Sequence, residues 1–133
     1  MVTVVLNGYK RGQHLEKQLE AVKKQSFRPK EIMLWQNAGE DFDPEIAGKT
    51  TWASCNKNFG VWARFAYALN AKTEYVCVFD DDTIPGKRWL ENCHRTIQEH
   101  EGLLGTIGVV YHTPQSYHPM HRVGWAEPNE KTE

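Results

Sequence analysis

The chain has 133 residues, of which 40% are hydrophobic and 25% charged, the balance of a single globular domain in water. Its 16 basic and 17 acidic residues leave a formal charge of −1, which argues against a nucleic-acid binder with a basic surface. The sequence contains neither an apolar run of about 18 residues nor a signal-peptide pattern, so it predicts no membrane span and no secretory leader.

The three cysteines are Cys55, Cys77 and Cys93, and no two of them form a CxxC pair. This odd number without metal-ligand spacing argues against both a disulfide framework and a zinc site. Cys77 falls in an apolar strand and Cys93 on the apolar side of a helix, so both are interpreted as packing residues. We therefore expect an intracellular, cytoplasmic location, where thiols stay reduced.

Hydrophobic periodicity predicts alternating strands and helices over most of the chain. In order, the predicted elements are a strand at 2–6, a helix at 13–25, a strand at 31–35, an acidic loop at 40–49, a strand at 50–55, a helix at 60–70, a strand at 75–79, a helix at 85–100 and a strand at 103–111. In the second helix, Val61, Phe65 and Leu69 form one stripe that is expected to pack inward. From His112 onward the chain is polar and is expected to be irregular.

This order predicts an α/β fold, Rossmann-like, with a mostly parallel sheet and helices on both faces. In such sheets, ligands bind at the carboxyl ends of the strands. Polar segments follow three of the predicted strands, at Asn7–Arg11, Gln36–Asn37 and Asp80–Asp82. We therefore predict a single site at this edge.

Three consecutive aspartates, Asp80, Asp81 and Asp82, end the apolar strand 75–79. In an extended chain, side chains alternate between faces, so Asp80 and Asp82 would point the same way. Their mutual repulsion would be relieved by a hard divalent cation, which prefers carboxylate oxygens and shared phosphates. The alternative is a solvated acidic turn that caps the next helix.

Five segments carry the spacing of a known family: Val2–Arg11, Gln18–Ser26, Pro29–Ile32, Asn58–Arg64 and Tyr75–Asp82, the last containing a DXD motif. Together they resemble the GT-A fold glycosyltransferases of the family-2 type, which use nucleotide-diphosphate sugars. The resemblance runs from Val2 to about Tyr111. Many members have a base-contacting aspartate after the second strand, where this chain has Gln36 and Asn37, so the identity of the base stays open.

The resemblance implies a metal-dependent, inverting transferase with Mn²⁺ or Mg²⁺ as its cofactor. The donor would be a UDP- or GDP-linked sugar, and the acceptor a glycan or another hydroxyl compound. Residues 1–111 would form the nucleotide-sugar-binding core, and residues 112–133 a polar loop leading to a missing acceptor half. The catalytic base is therefore expected outside this chain, which would bind its donor but transfer sugar slowly or not at all.

The expected site residues follow from their positions after the strands and from the resemblance. The expected nucleotide-binding residues are Asn7, Gly8, Tyr9, Arg11, Gln36, Asn37, Arg64, Asp80 and Asp81, and the expected metal ligands are Asp82 and Asp80. Tyr9 offers a ring to the base, or is an ordinary loop aromatic. Arg64 contacts phosphate or the aspartates, or is a solvated helix residue. His112, His118, His121 and Arg122 are interpreted as loop residues rather than as a metal shell.

Two competing functions remain open at this point. The first is a non-catalytic binder of nucleotides or nucleotide sugars. The second is a sugar-phosphate nucleotidyltransferase, a class that places a glycine-rich, basic loop after its first strand. Residues 7–12 lack that pattern, and no GxGxxG or P-loop motif occurs elsewhere in the chain.

Overall fold

The computed structural model describes residues 1–9, 14–38, 45, 48, 50–115 and 120–123. The chain divides into two compact units, one spanning Met1–Arg95 and a second that begins at Thr96. The predicted division at Tyr111 concerns functional halves and stays a prediction.

The helices and strands follow the predicted order. The strands are β1 (Val2–Gly8), β2 (Glu31–Asn37), β3 (Thr51–Cys55), β4 (Tyr75–Phe79), β5 (Gly108–Tyr111) and β6 (Met120–Val123). The helices are α1 (Leu15–Lys23), a 3-10 turn η1 (Gly60–Trp62), α2 (Ala63–Ala68) and α3 (Trp89–Glu99). Two helices begin later than predicted, α1 at Leu15 and α3 at Trp89. Before α3, main-chain carbonyls accept from α1 and from the residues just after it: the Thr83 carbonyl accepts from the Gln18 side chain, and the Lys87 carbonyl from the Ser26 N–H.

The first unit contains a four-stranded sheet in the order β3-β2-β1-β4, with every neighbouring pair parallel. The register places Leu6 of β1 opposite Leu34 of β2 and Phe79 of β4. β1 is thus internal, and its Val4, Val5 and Leu6 are completely buried. A continuous apolar run is typical of a strand covered on both faces. The predicted parallel α/β sheet is confirmed.

The two faces of the sheet carry different helices. On one face, Leu34 belongs to a buried cluster with Leu19 of α1 and Leu90 of α3. The next residue, Trp35, points to the opposite face because side chains alternate along a strand. There its ring lies 5.6 Å from that of Tyr67 in α2. Helices therefore cover both faces, as predicted.

The prediction that one apolar stripe of the second helix packs inward is wrong. Val61, Phe65 and Leu69 are 57%, 46% and 87% exposed. The face of the helix that packs against the sheet is set by Arg64, which pairs with Asp80, and by Tyr67, whose ring lies beside that of Trp35. The partly buried positions of α2 are instead Ala63, Arg64, Tyr67 and Ala68, which share one helical face.

Two tryptophans of the first unit are also exposed. Trp62 is 76% exposed and Trp52 48% exposed, whereas Trp35 and Trp89 are partly buried. Trp62 lies in the 3-10 turn and Trp52 in β3, an edge strand.

The second unit contains an antiparallel pair that the sequence did not predict. β5 covers only the end of the predicted strand 103–111, and it pairs with β6 so that Tyr111 lies opposite Met120. The tail expected to be irregular therefore contains a strand, which includes His121 and Arg122. With four residues, two of them charged or ionisable, β6 shows no apolar alternation. His118 lies outside the described residues.

Within the described part of the chain, no helix has the length and apolar character needed to cross a bilayer.

Candidate functional site

Polar residues meet at the carboxyl edge of the parallel sheet. The register pairs Gly8, the last residue of β1, with Gln36 near the end of β2. Asn7, Gln36 and Asn37 are 8%, 7% and 4% exposed, and Tyr9 beyond β1 is partly buried. β4 flanks β1 on its other side and ends at Phe79, directly before the aspartates. Arg11 lies outside the described residues.

The aspartates form a turn rather than an extension of β4. The Thr83 N–H donates to the Asp80 carbonyl (3.1 Å), which closes a four-residue turn, Asp80–Thr83, called the acidic turn below. The prediction that Asp80 and Asp82 share a strand face is therefore wrong, because alternation ends with the strand. Asp80 and Asp82 are exposed and Asp81 is partly buried, so this turn presents carboxylates at the sheet edge.

Arg64 of α2 forms an ion pair with the carboxylate of Asp80. The arginine side chain is only 14% exposed, against 56% for Asp80. Its Nε is buried and has no hydrogen-bond partner among the described residues. An anionic oxygen at the sheet edge could contact only the part of the guanidinium that stays exposed, beside its contact with Asp80.

Asn37 holds the start of η1 against the sheet edge. Its Nδ2 donates to Asn58 Oδ1 (2.8 Å) and to the Gly60 carbonyl (3.0 Å), and its Oδ1 accepts from the Phe59 N–H (2.9 Å). Asn58 Oδ1 also accepts from the Gly60 N–H (2.7 Å). Gly60 has φ of +70°, a conformation that favours glycine. The amide expected to read a base thus fixes the turn that precedes Arg64.

Gln36 bonds within its own loop. Its Nε2 donates to the carbonyl of Ala38 (2.7 Å), a residue with φ of +68°. The Gln36 backbone carbonyl accepts from the Cys55 thiol (3.2 Å). The turn after β2 is therefore fixed by side-chain contacts from within the sheet edge.

The sequence reasoning missed the role of Gln18. This α1 residue is 1% exposed, and its Nε2 donates to the carbonyls of Asp80 and Thr83, the latter at 2.7 Å. It lies on the same side of the helix as the buried Leu15, Leu19 and Val22. A polar residue inside an apolar stripe was the available indication, because a buried amide needs partners.

A metal site made only of protein ligands is not found. Among the described residues, no group of three or more His, Cys, Asp and Glu side chains is arranged to hold an ion. A Mg²⁺-like ion normally binds one or two carboxylates and completes its shell with water and substrate phosphates. The carboxylates of the acidic turn therefore suit an ion shared with a diphosphate, not one held by the protein alone.

The fold is that of a Rossmann-like domain of the GT-A type. The model of glycosyl transferase family 2 matches residues 3–133, and the chain belongs to this family. The predicted family is confirmed. No curated protein sequence matches the chain.

Solved structures of TarS from S. aureus share the fold. One TarS structure is 24% identical over 74% of this chain and 20% of that chain, with a TM-score of 0.62. TarS 1–349 in complex with UDP-GlcNAc is 20% identical over 80% of this chain and 32% of that chain, with a TM-score of 0.63. The same fragment in complex with UDP gives 20% identity, 80% and 33% coverage, and a TM-score of 0.62. The chain thus spans about a fifth to a third of these relatives.

Proposed function

We propose that this chain is the donor-binding part of a glycosyltransferase that takes a sugar from a nucleoside-diphosphate sugar and passes it to a hydroxyl acceptor. The observation that carries the proposal is the pairing of Arg64 with the acidic turn at the carboxyl edge of the sheet. Family membership supports the same reaction class. UDP-linked sugars are the first donors to test, since TarS was solved with UDP and UDP-GlcNAc.

Arg64 brings a positive charge to this edge. Its guanidinium offers several N–H donors in a fixed fork, which matches the oxygens of a phosphate. Held between α2 and Asp80, it loses little side-chain entropy when the diphosphate binds. Negative charge builds on the leaving diphosphate during transfer, so a positioned cation at this point stabilises the transition state.

Tyr9 and the loop after β2 form the base side of the site. Tyr9 follows β1 directly, and its partly buried ring is placed to stack on a flat base. The amide hydrogens of Asn37 and one of those of Gln36 already have internal acceptors, so these two residues support the pocket more than they read the base. Asn7, Gly8 and Arg11 remain candidates for base or phosphate contacts.

A divalent cation, Mn²⁺ or Mg²⁺, is part of the proposal. Asp82 and Asp80 would hold it together with the donor phosphates, and it would supply Lewis-acid stabilisation of the leaving group. Asp81 would contact the donor or support the turn. As the family resemblance implies, Asp82 is proposed as the direct ligand, and Asp80, which also pairs with Arg64, as the carboxylate that assists it.

Inversion at the sugar carbon is proposed from the family alone. It requires a base opposite the leaving group, and no residue described here is assigned that role. A reducing, cytoplasmic location is likewise proposed, on the free thiols of Cys55, Cys77 and Cys93.

The proposal is tested by calorimetric titration of the chain with UDP, GDP and UDP-GlcNAc, in Mn²⁺ and in EDTA. We expect UDP affinity to rise with Mn²⁺, and Asp82→Asn to remove most of that rise. The matched control is Glu74→Gln, which makes the same charge change just before β4, at the opposite edge of the sheet. Equal affinity in Mn²⁺ and EDTA would contradict the metal requirement.

Product analysis then separates the remaining functions. Release of UDP with sugar transfer to an acceptor identifies a glycosyltransferase, whereas release of pyrophosphate would identify a nucleotidyltransferase. Tight donor binding without any turnover, in this chain and in a longer form, would favour the non-catalytic binder.

A further inference from the structure

The segment between β4 and α3 is bonded by two buried glutamines, Gln18 within α1 and Gln25 just after its end. Gln18 and Gln25 are 1% and 2% exposed. Gln18 contacts the acidic turn, as described above. Gln25 contacts the far end of the segment: its Nε2 donates to the Gly86 carbonyl (2.7 Å), and its Oε1 accepts from the Leu90 N–H (3.0 Å).

The contacts of Gln18 are specific to the two ends of the acidic turn. Its side-chain amide has two hydrogens, and the carbonyls of Asp80 and Thr83 accept one each. Those carbonyls belong to the first and last residues of the turn. Fixing both ends restricts the backbone of Asp81 and Asp82 between them, and hence the directions in which the carboxylates project.

The turn is therefore held from both faces of the sheet. Gln18 of α1 bonds its main chain, while Arg64 of α2 pairs with the side chain of Asp80. An apolar side chain at position 18 would fill the same buried space but donate nothing, so the turn would lose its contacts from α1.

We propose that Gln18 is a positioning residue that holds the acidic turn in the arrangement that binds a diphosphate together with a divalent cation. The proposal rests on the function proposed above and adds a residue outside the ligand shell. Gln25 orders the start of α3 and takes no part in the diphosphate site.

The test compares Gln18→Met with Gln25→Met, two isosteric changes at equally buried glutamines. UDP affinity is measured by calorimetry in Mn²⁺ and in EDTA, and stability by urea unfolding. We expect both variants to be less stable than wild type. The factor by which Mn²⁺ raises UDP affinity should fall about tenfold or more in Gln18→Met and stay unchanged in Gln25→Met. A purely structural role would not separate the two affinities in this way.

Each other outcome has a definite meaning. If wild-type protein shows no Mn²⁺-dependent UDP binding, the proposed function fails and this proposal fails with it. If wild type binds and Gln18→Met binds equally well, or if both variants lose the same factor, the positioning role alone is overturned.

A second measurement needs no variant and applies if Gln18→Met does not fold. In wild-type protein, the side-chain amide resonances of Gln18 and Gln25 are followed by NMR during titration with Mg²⁺ and UDP. We expect the Gln18 resonances to shift and the Gln25 resonances to stay in place. Shifts at Gln25 without shifts at Gln18 would overturn the assignment.

Discussion

Asn37 shows how a residue can be placed correctly by sequence and still differ in role. Its position after β2 was predicted, and so was its membership of the site edge. Its amide, however, bonds to the turn of Asn58, Phe59 and Gly60, a partner about twenty residues away in the chain. Sequence periodicity locates strand ends but carries no information on which distant loop takes up a buried amide.

Gln18 is a second residue whose role depends on a distant segment of the chain. It was part of a segment that resembled the family, but no role followed from the segment alone. The contacts that define it join α1 to a turn more than sixty residues later. Only the parallel register, which brings β4 beside β1, places the two together.

Cys77 gives a prediction at the residue scale that is independent of the proposed function. Burial raises the pKa of its thiol from 9.0 to about 11, with a smaller lowering by the Trp89 hydrogen bond and a further raising by Cys93. The folded state thus keeps a proton that the unfolded chain releases. This stabilisation is fully present below about pH 9 and is lost as the pH rises through about 11.

Cys77→Val removes the ionisable group and keeps an apolar side chain of similar size. We expect the free energy of unfolding to fall less steeply between about pH 8 and pH 11 in the variant, by up to about 3 kcal/mol over that range. Urea unfolding under reducing conditions, repeated across this pH range, measures the free energy of unfolding of both proteins. Other groups that titrate at alkaline pH affect both proteins equally, so the difference between the two curves reports on Cys77. If the free energy of unfolding falls with the same slope in both proteins, burial does not raise the pKa of Cys77.

At the scale of elements, strands were easier to predict than helix faces. β4 was predicted at the residues where it is found, because five apolar residues bounded by polar ones suit a buried strand. The predicted inward face of α2 was wrong, because Arg64 and Tyr67 make its contacts with the rest of the unit and the predicted stripe is exposed. Contacts of this kind leave no mark in the spacing of apolar residues.

A matched pair of substitutions tests this difference between helices. Leu19 of α1 is 3% exposed within the buried cluster, whereas Leu69 at the end of α2 is 87% exposed. We expect Leu19→Ala to lower the free energy of unfolding by about 2–5 kcal/mol, and Leu69→Ala by less than about 0.5 kcal/mol. Denaturant unfolding measures both. Equal losses would mean that the predicted stripe packs after all.

At the scale of the whole molecule, the first unit is the part that sequence reasoning described best. Alternating strands and helices predicted a parallel sheet, and the parallel register then gathers polar residues from three strands at one edge. The strand β6 of the second unit was missed because a short strand with polar residues depends on its partner rather than on its own pattern.

The chain corresponds to one part of the known structures that share its fold. The chain covers 20% to 34% of the TarS chains that it matches, so the fold of this region is established and the activity of a whole enzyme is a proposal. Within this region, the central claim is that the acidic turn and Arg64 form one site for a diphosphate and a cation.

The most direct test of that claim uses the paramagnetism of Mn²⁺, which broadens the NMR signals of nearby nuclei. In the presence of UDP, we predict that substoichiometric Mn²⁺ broadens the amide signals of Asp80–Thr83 first. The amide of Glu74 lies across the length of β4, about 20 Å away, and should remain sharp at the same Mn²⁺ concentration. Broadening centred on other carboxylates, or broadening that UDP does not enhance, would contradict the account.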